Sequence, residues 1–133
     1  YGVTVFEKLP VKGGMMAVGI PAYRLPKETL NAEIALIEKM GVEIRTGVEF
    51  GKDVTAESLK KDGYSALFLA VGLHGGRKMN IPGENAKGVL QGVDFLRDAA
   101  LGAKPAVGDT VVAGEQGSAE ILSLCGKVLL TGQ

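Results

Sequence analysis

The feature that most constrains this chain is the run Tyr64-Ser65-Ala66-Leu67-Phe68-Leu69-Ala70-Val71. A nearly continuous apolar stretch of this length leaves no face for water. Gly63 before it and Gly72 after it close the run at strand length. The pattern predicts a central parallel strand covered on both faces. Such a strand needs partners on its two edges and helices above and below it.

The flanking sequence offers those partners. Tyr1–Glu7 alternates apolar and polar residues, with Val3 and Val5 on one face, and reads as a strand. Leu9–Leu25 carries Pro10, Gly13, Gly14, Gly19 and Pro21 and reads as a long loop, of the kind that is more often functional than idle. Pro26–Met40 reads as a helix. Pro26 suits its first position, Leu30, Ile34 and Ile37 form one buried stripe, and Gly41 provides a left-handed stop. Val42–Arg45 is a second short strand. Thr55 caps a second helix, with Val54 and Leu59 as a hydrophobic staple and Gly63 as its end. Ile81-Pro82-Gly83-Glu84 is a turn, and Val93–Leu101 a short helix stopped by Gly102. Thr110–Ala113 and Lys127–Leu130 read as further strands. Strands alternating with helices define an α/β fold with a mainly parallel sheet.

Composition narrows the function. With 133 residues and 46% hydrophobic content the chain has enough apolar surface for one ordinary domain. Fifteen Lys and Arg balance fifteen Asp and Glu, which argues against a nucleic-acid partner. Cys125 is the single cysteine, so an internal disulfide, a cysteine-ligated iron–sulfur cluster and a four-cysteine zinc site within the chain are excluded. No apolar run reaches the roughly 18 residues of a membrane span. The N-terminal residues do not read as a secretory signal, so a cytoplasmic protein is expected. No nucleophile–base pair and no metal-ligand cluster is visible, and no catalytic side chain is assigned.

Three signals occur in order. Val3-Thr4-Val5-Phe6-Glu7 is a strand ending in a carboxylate, followed by Gly13-Gly14-Met15. Gly19-Ile20-Pro21-Ala22-Tyr23-Arg24-Leu25-Pro26-Lys27 comes next. Ala70-Val71-Gly72, Arg77 and Ile81-Pro82-Gly83-Glu84 complete the set. Together they resemble the small (beta) subunit of NADPH-dependent glutamate synthase and its relatives, from residue 1 to about residue 102. The Gly-Ile-Pro-x-Tyr-Arg-Leu-Pro-Lys segment is the most specific part.

That resemblance implies an incomplete FAD/NAD(P)-binding Rossmann-like fold. Residues 1–102 would be part of an FAD-binding domain, and residues 103–133 a remnant of an NAD(P)-binding domain or a C-terminal tail. It implies hydride transfer from NADPH to FAD, with electrons passing to iron–sulfur carriers, and a catalytic or iron–sulfur partner subunit. By the same resemblance Glu7 takes the adenosine ribose, and Gly14 and Met15 let the backbone run close to the cofactor. Arg24 and Leu25 lie beside the flavin or its phosphates, and Val48 lies near the adenine. Ala70, Val71 and Gly72 form the turn at the carboxyl end of a sheet strand, the usual ligand crevice of open α/β sheets.

The sequence departs from the family in two places. A strand–Gly-x-Gly-x-x-Gly–helix unit is expected before Tyr1, where the flavin pyrophosphate would sit on a helix N-terminus. After Thr110 the family's Gly-x-Gly-x-x-Ala run is replaced by Ala113-Gly114-Glu115-Gln116-Gly117-Ser118-Ala119-Glu120. There Glu115 would repel a pyrophosphate, and the following helical stretch Ser118–Leu124 is short. Binding of FAD and NADPH by these residues alone is therefore expected to be weak or absent, and the isolated chain inactive. The alternative is a non-enzymatic scaffold or interaction protein of the same descent, possible as a homodimer.

Plainer roles stand beside these. Glu7 can be a solvated strand end, Gly13-Gly14 an ordinary turn, and Arg24 a salt-bridge partner. Met15 and Met16 can plug a core edge instead of packing on a flavin. His74 reads as an exposed loop residue, and Cys125, among Leu122, Leu124 and Val128, as a buried inert thiol.

Overall fold

A computed structural model describes residues 1–78 and 80–108. The expected strands at Thr110–Ala113 and Lys127–Leu130, the segment 113–120, the helical stretch Ser118–Leu124 and Cys125 lie outside the described residues. Two units divide the chain, Tyr1–His74 and Gly75–Gln133.

The first unit begins with β1 (Val3–Glu7), which pairs in parallel with β2 (Val42–Thr46). The register is Val3 to Val42, Val5 to Ile44 and Glu7 to Thr46 on one face, with Thr4 to Glu43 and Phe6 to Arg45 on the other. Parallel neighbours cannot be joined by a tight turn. The crossover carries two helices, α1 (Gly14–Val18) and α2 (Lys27–Lys39). α1 forms inside the stretch expected to be a loop from Leu9 to Leu25. Its start is set by Gly13 at φ 102°, which no β-carbon-bearing residue adopts easily.

α2 follows the expected helix closely, with one shift at each end. Pro26 has φ −55° and ψ 133°, so it caps the helix from outside instead of occupying its first turn. Gly41 turns the chain away at φ 96°. Val18, Leu30 and Ile34 are buried, and they fix α1 and α2 against each other. Ile37, expected in the same stripe, is 41% exposed together with Leu36 and Met40. The buried stripe stops at Ile34, which with Leu30 lies against Gly13 at the start of α1.

β2 leads through Gly47, at φ 73°, to a compact turn around Glu49–Val54 and then to α3 (Ala56–Lys61). Thr55 caps α3 as expected. Its hydroxyl accepts the Ser58 N–H at 3.1 Å, and the Ser58 hydroxyl oxygen accepts the Thr55 N–H at 2.9 Å. Leu59 is buried, and Gly63 leaves the helix at φ 92°.

The strand expected at Tyr64–Val71 is absent. Residues 64–74 lie in no helix or strand, and Phe68 and Leu69 are 90% and 60% exposed. A buried strand is defined by what lies beside and above it. Here β1 and β2 form a sheet of two strands, and no described strand pairs with Tyr64–Val71. The apolar pattern records a burial that these residues do not supply. Tyr64 is the exception: its ring meets Phe6 edge-on at 5.9 Å between centroids.

The second unit holds the turn at residues 82–85, where Glu84 N–H donates to the Ile81 carbonyl at 3.3 Å and Gly83 has φ 88°. α4 (Gly92–Ala100) follows and ends at Gly102, φ 88°, matching the expected helix within a residue.

Candidate functional site

The carboxyl ends of β1 and β2 bring two of the expected site residues together. Glu7 is the last residue of β1, opposite Thr46. The chain leaving β2 continues the pairing past the strand end: Gly47 N–H donates to the Leu9 carbonyl and Val48 N–H to the Glu7 carbonyl, each at 3.0 Å. Glu7 and Val48 are therefore held at a fixed separation by the backbone. The Glu7 carboxylate is oriented as well, since its Oε1 accepts the Leu9 N–H at 2.8 Å. An ionised carboxylate offers about four lone-pair positions, so this bond leaves capacity for hydroxyl donors.

The segment after Val48 is braced by its own charges. Lys8 Nζ reaches Glu49 Oε1 at 2.6 Å, and Glu49 N–H donates to Asp53 Oδ2 at 2.8 Å. On the opposite face of β2, Arg45 binds Glu43 through two bonds of 2.8 and 2.9 Å, and the Thr4 hydroxyl donates to the same carboxylate at 3.3 Å. The hydrogen bond from Arg45 is the main cause that holds the Glu43 carboxyl below the usual carboxylate range, and its charge adds to it. The same pair raises the Arg45 guanidinium. Arg45 also lies over the Phe6 ring, 5.7 Å from its centroid.

Gly14 and Met15 form the first turn of α1. Gly13 before them lies against α2: a β-carbon there would stand 3.0 Å from Leu30 Cδ2 and 3.3 Å from Ile34 Cδ1. Met15 curls back over Gly19: a β-carbon there would displace the flexible Met15 methyl and stand 3.0 Å from the Met15 carbonyl. Arg24 and Leu25 close a tight turn, both N–H groups donating to the Pro21 carbonyl at 3.0 and 3.1 Å.

Ala70, Val71 and Gly72 are exposed and stand in no strand, so the expected placement at a strand's carboxyl end is corrected with the strand itself. Gly72 does take the left-handed conformation of a turn, φ 68°.

Sequence reading assigned no role to Lys27. In the structure its ammonium donates to the carbonyls of Met16 at 3.0 Å and Ile20 at 2.7 Å. A cation in the first turn of a helix faces the positive end of the helix dipole, so it is better placed where other acceptors lie within reach.

The second unit has a surface depression of about 290 Å³ lined by Lys78, Glu84, Asn85, Ala86, Val89 and Gln91. It contains none of the expected site residues. Among the described residues no group of three or more His, Cys, Asp or Glu is placed to hold a metal ion, and no helix is long and apolar enough to cross a membrane.

No protein-family model matches the chain. Individual relatives do. The beta subunit of NADP(+)-dependent formate dehydrogenase from Moorella thermoacetica is 48% identical over 115 residues, covering 85% of this chain and 16% of that protein. The NAD-dependent dihydropyrimidine dehydrogenase subunit PreT of Escherichia coli O157:H7 is 44% identical over 109 residues, 82% of this chain and 25% of that protein. The small chain of NADPH glutamate synthase from Halomonas elongata is 39% identical over 92 residues, 69% of this chain and 19% of that protein. The chain thus spans a quarter or less of the length of each of these curated relatives.

Proposed function

Because the chain belongs to the family of NADPH-dependent oxidoreductase beta and small subunits that includes the glutamate synthase small chain, we propose that it forms part of the flavin-binding portion of such a subunit. Residues 1–102 are the partial FAD-binding domain, and residues 103–133 belong to the NAD(P)-binding domain or a tail. The observation that carries this reading is the hydrogen bond between Val48 N–H and the Glu7 carbonyl. It sets an oriented carboxylate beside a backbone turn at the carboxyl end of two parallel strands, where open α/β folds receive nucleotides.

In this reading Glu7 accepts the ribose hydroxyls and Val48 borders the adenine. Gly14, Met15, Arg24 and Leu25 follow the cofactor toward its phosphates and flavin, and Ala70, Val71 and Gly72 approach it from an exposed segment outside the sheet. When bound, FAD supplies the capacity to take a hydride from a reduced nicotinamide and pass electrons to iron–sulfur carriers. This chain's residues bind and orient; none is asked to act as a strong acid or base. The relatives' names give different coenzymes, NADP for one and NAD for another, so NADPH is the donor we favour from the glutamate synthase resemblance. A partner subunit fits the relatives' designations as beta subunits and small chains.

The test is a visible spectrum of the purified protein followed by calorimetric titration with FAD and, separately, with AMP. Binding of FAD near one per chain supports the reading. No flavin spectrum and no heat with either ligand overturns it. The exposure of Phe68 and Leu69 favours a second reading, an interaction protein of the same family. A colourless dimer indifferent to FAD would select that one.

A further inference from the structure

The backbone accounting around α1 leaves one carbonyl that the helix itself does not satisfy. In a continuing helix the Met16 carbonyl would accept from Ile20 N–H, four residues on. Here Ile20 N–H turns instead to Met15, at 3.1 Å, and Gly19 N–H donates to the same Met15 carbonyl at 2.8 Å. The Met16 carbonyl is left for another donor. Lys27 Nζ fills the place at 3.0 Å and also takes the Ile20 carbonyl at 2.7 Å. One ammonium therefore ties the end of α1 to the chain that leaves it, across Gly19.

The position of Lys27 makes this more than a chance surface contact. It is the first residue of α2, where its charge opposes the helix dipole and where Glu28 is the next residue. The residues between the two carbonyls and Lys27 are those of the Pro21 turn, which presents Arg24 and Leu25. Met15 and Leu25 thus stand on two pieces of backbone that this side chain ties together, beside the packing of Val18, Leu30 and Ile34.

We propose that Lys27 is the positioning residue of the segment Gly14–Leu25. It fixes the geometry in which that segment meets the cofactor. The link to a cofactor rests on the flavin reading above; the ordering of the segment does not. Lys27 acts through the Met16 and Ile20 carbonyls and makes no claimed contact with a ligand.

The test uses the whole chain with Lys27→Met and Lys27→Arg. Amide hydrogen exchange is followed at Gly19, Ile20, Arg24 and Leu25, with α2 as internal reference. Loss of two charge-assisted hydrogen bonds predicts exchange faster by about tenfold or more at those four amides in Lys27→Met. Rates in α2 stay within about twofold, and Lys27→Arg, which keeps charge and reach, returns toward the wild type. FAD affinity, measured on the same proteins, falls about tenfold in Lys27→Met and is recovered in Lys27→Arg. Unchanged exchange at all four amides overturns the positioning role. Faster exchange with unchanged FAD affinity overturns its cofactor part. If the wild type binds no FAD, the flavin reading fails and the cofactor part falls with it, while the exchange rates still decide whether Lys27 orders the segment.

Discussion

Val48 donates its backbone N–H to the carbonyl of Glu7 at 3.0 Å, two residues beyond the last paired position of β2. The bond continues the parallel ladder past the strand and leaves the Glu7 side chain at its rim. The carboxylate is steadied by the Leu9 N–H. If Glu7 takes the ribose as proposed, replacing it by Ala removes the acceptor for those hydroxyls without touching the Val48 bond, which is made by backbone. Hydrogen bonds to a charged group contribute about 1.5–3 kcal/mol, so AMP or FAD affinity is expected to fall about 10- to 100-fold. Calorimetric titration reads this directly. Equal affinities for wild type and Glu7→Ala would remove Glu7 from the site.

Gly13 and Gly51 make a matched pair for measuring how tightly α1 lies on α2. Both have positive φ, 102° and 91°, but a β-carbon at Gly13 meets Leu30 and Ile34, whereas one at Gly51 meets nothing within 4 Å. Alanine at either position carries the left-handed penalty of about 1–2 kcal/mol. Gly13→Ala adds overpacking on a core that holds few buried side chains, and should lose about 1 kcal/mol more than Gly51→Ala. Urea denaturation of the two variants decides it. Equal losses would mean that the approach of Gly13 to α2 contributes nothing to stability.

What the sequence made legible follows the range of each interaction. Thr55, Gly41 and Gly63 announced helix boundaries because capping and left-handed geometry are settled within a few residues. The roles expected of Glu7 at a ribose and Val48 near an adenine came from the family resemblance; the backbone bond that joins the two residues has no signature in the sequence. Tyr64–Val71 was misleading for the opposite reason. Its burial depends on strands and helices contributed from elsewhere, and the two-stranded sheet offers it none. α1 was hidden because Gly13, Gly14 and Gly19 resemble loop punctuation, while its stability comes from contact with α2. Lys27 was hidden because its partners are backbone carbonyls, which have no signature in a sequence.

The cap of α3 permits a local test. Thr55 and Ser58 exchange side-chain and backbone hydrogen bonds. Thr55→Ala should cost about 1 kcal/mol, the usual value of an N-cap, and Thr55→Ser should retain most of it. Thermal unfolding followed by far-ultraviolet circular dichroism measures both. A Thr55→Ala variant as stable as wild type would show that α3 is held by Leu59 alone and that the cap is dispensable.

Glu43 and Arg45 give a pH dependence of known sign. The hydrogen bond from Arg45, with its charge and the Thr4 hydroxyl assisting, depresses the folded-state pKa of Glu43. The unfolded chain therefore binds a proton more readily than the folded chain in this range. The contribution of the pair is present above the unfolded pKa and is lost as pH falls through the lower folded value. Both side chains are about half exposed, so the effect on stability is small and reduced further by salt. The sharper readout is the Glu43 carboxyl resonance followed by NMR through an acid titration. In wild type its midpoint lies below that of an ordinary glutamate. In Arg45→Met the midpoint moves up toward the ordinary value, while Thr4→Val produces a smaller upward shift because the Thr4 bond is the longer one, 3.3 Å against 2.8 and 2.9 Å. An unchanged midpoint in Arg45→Met would show that the two bonds to Arg45 do not persist in solution.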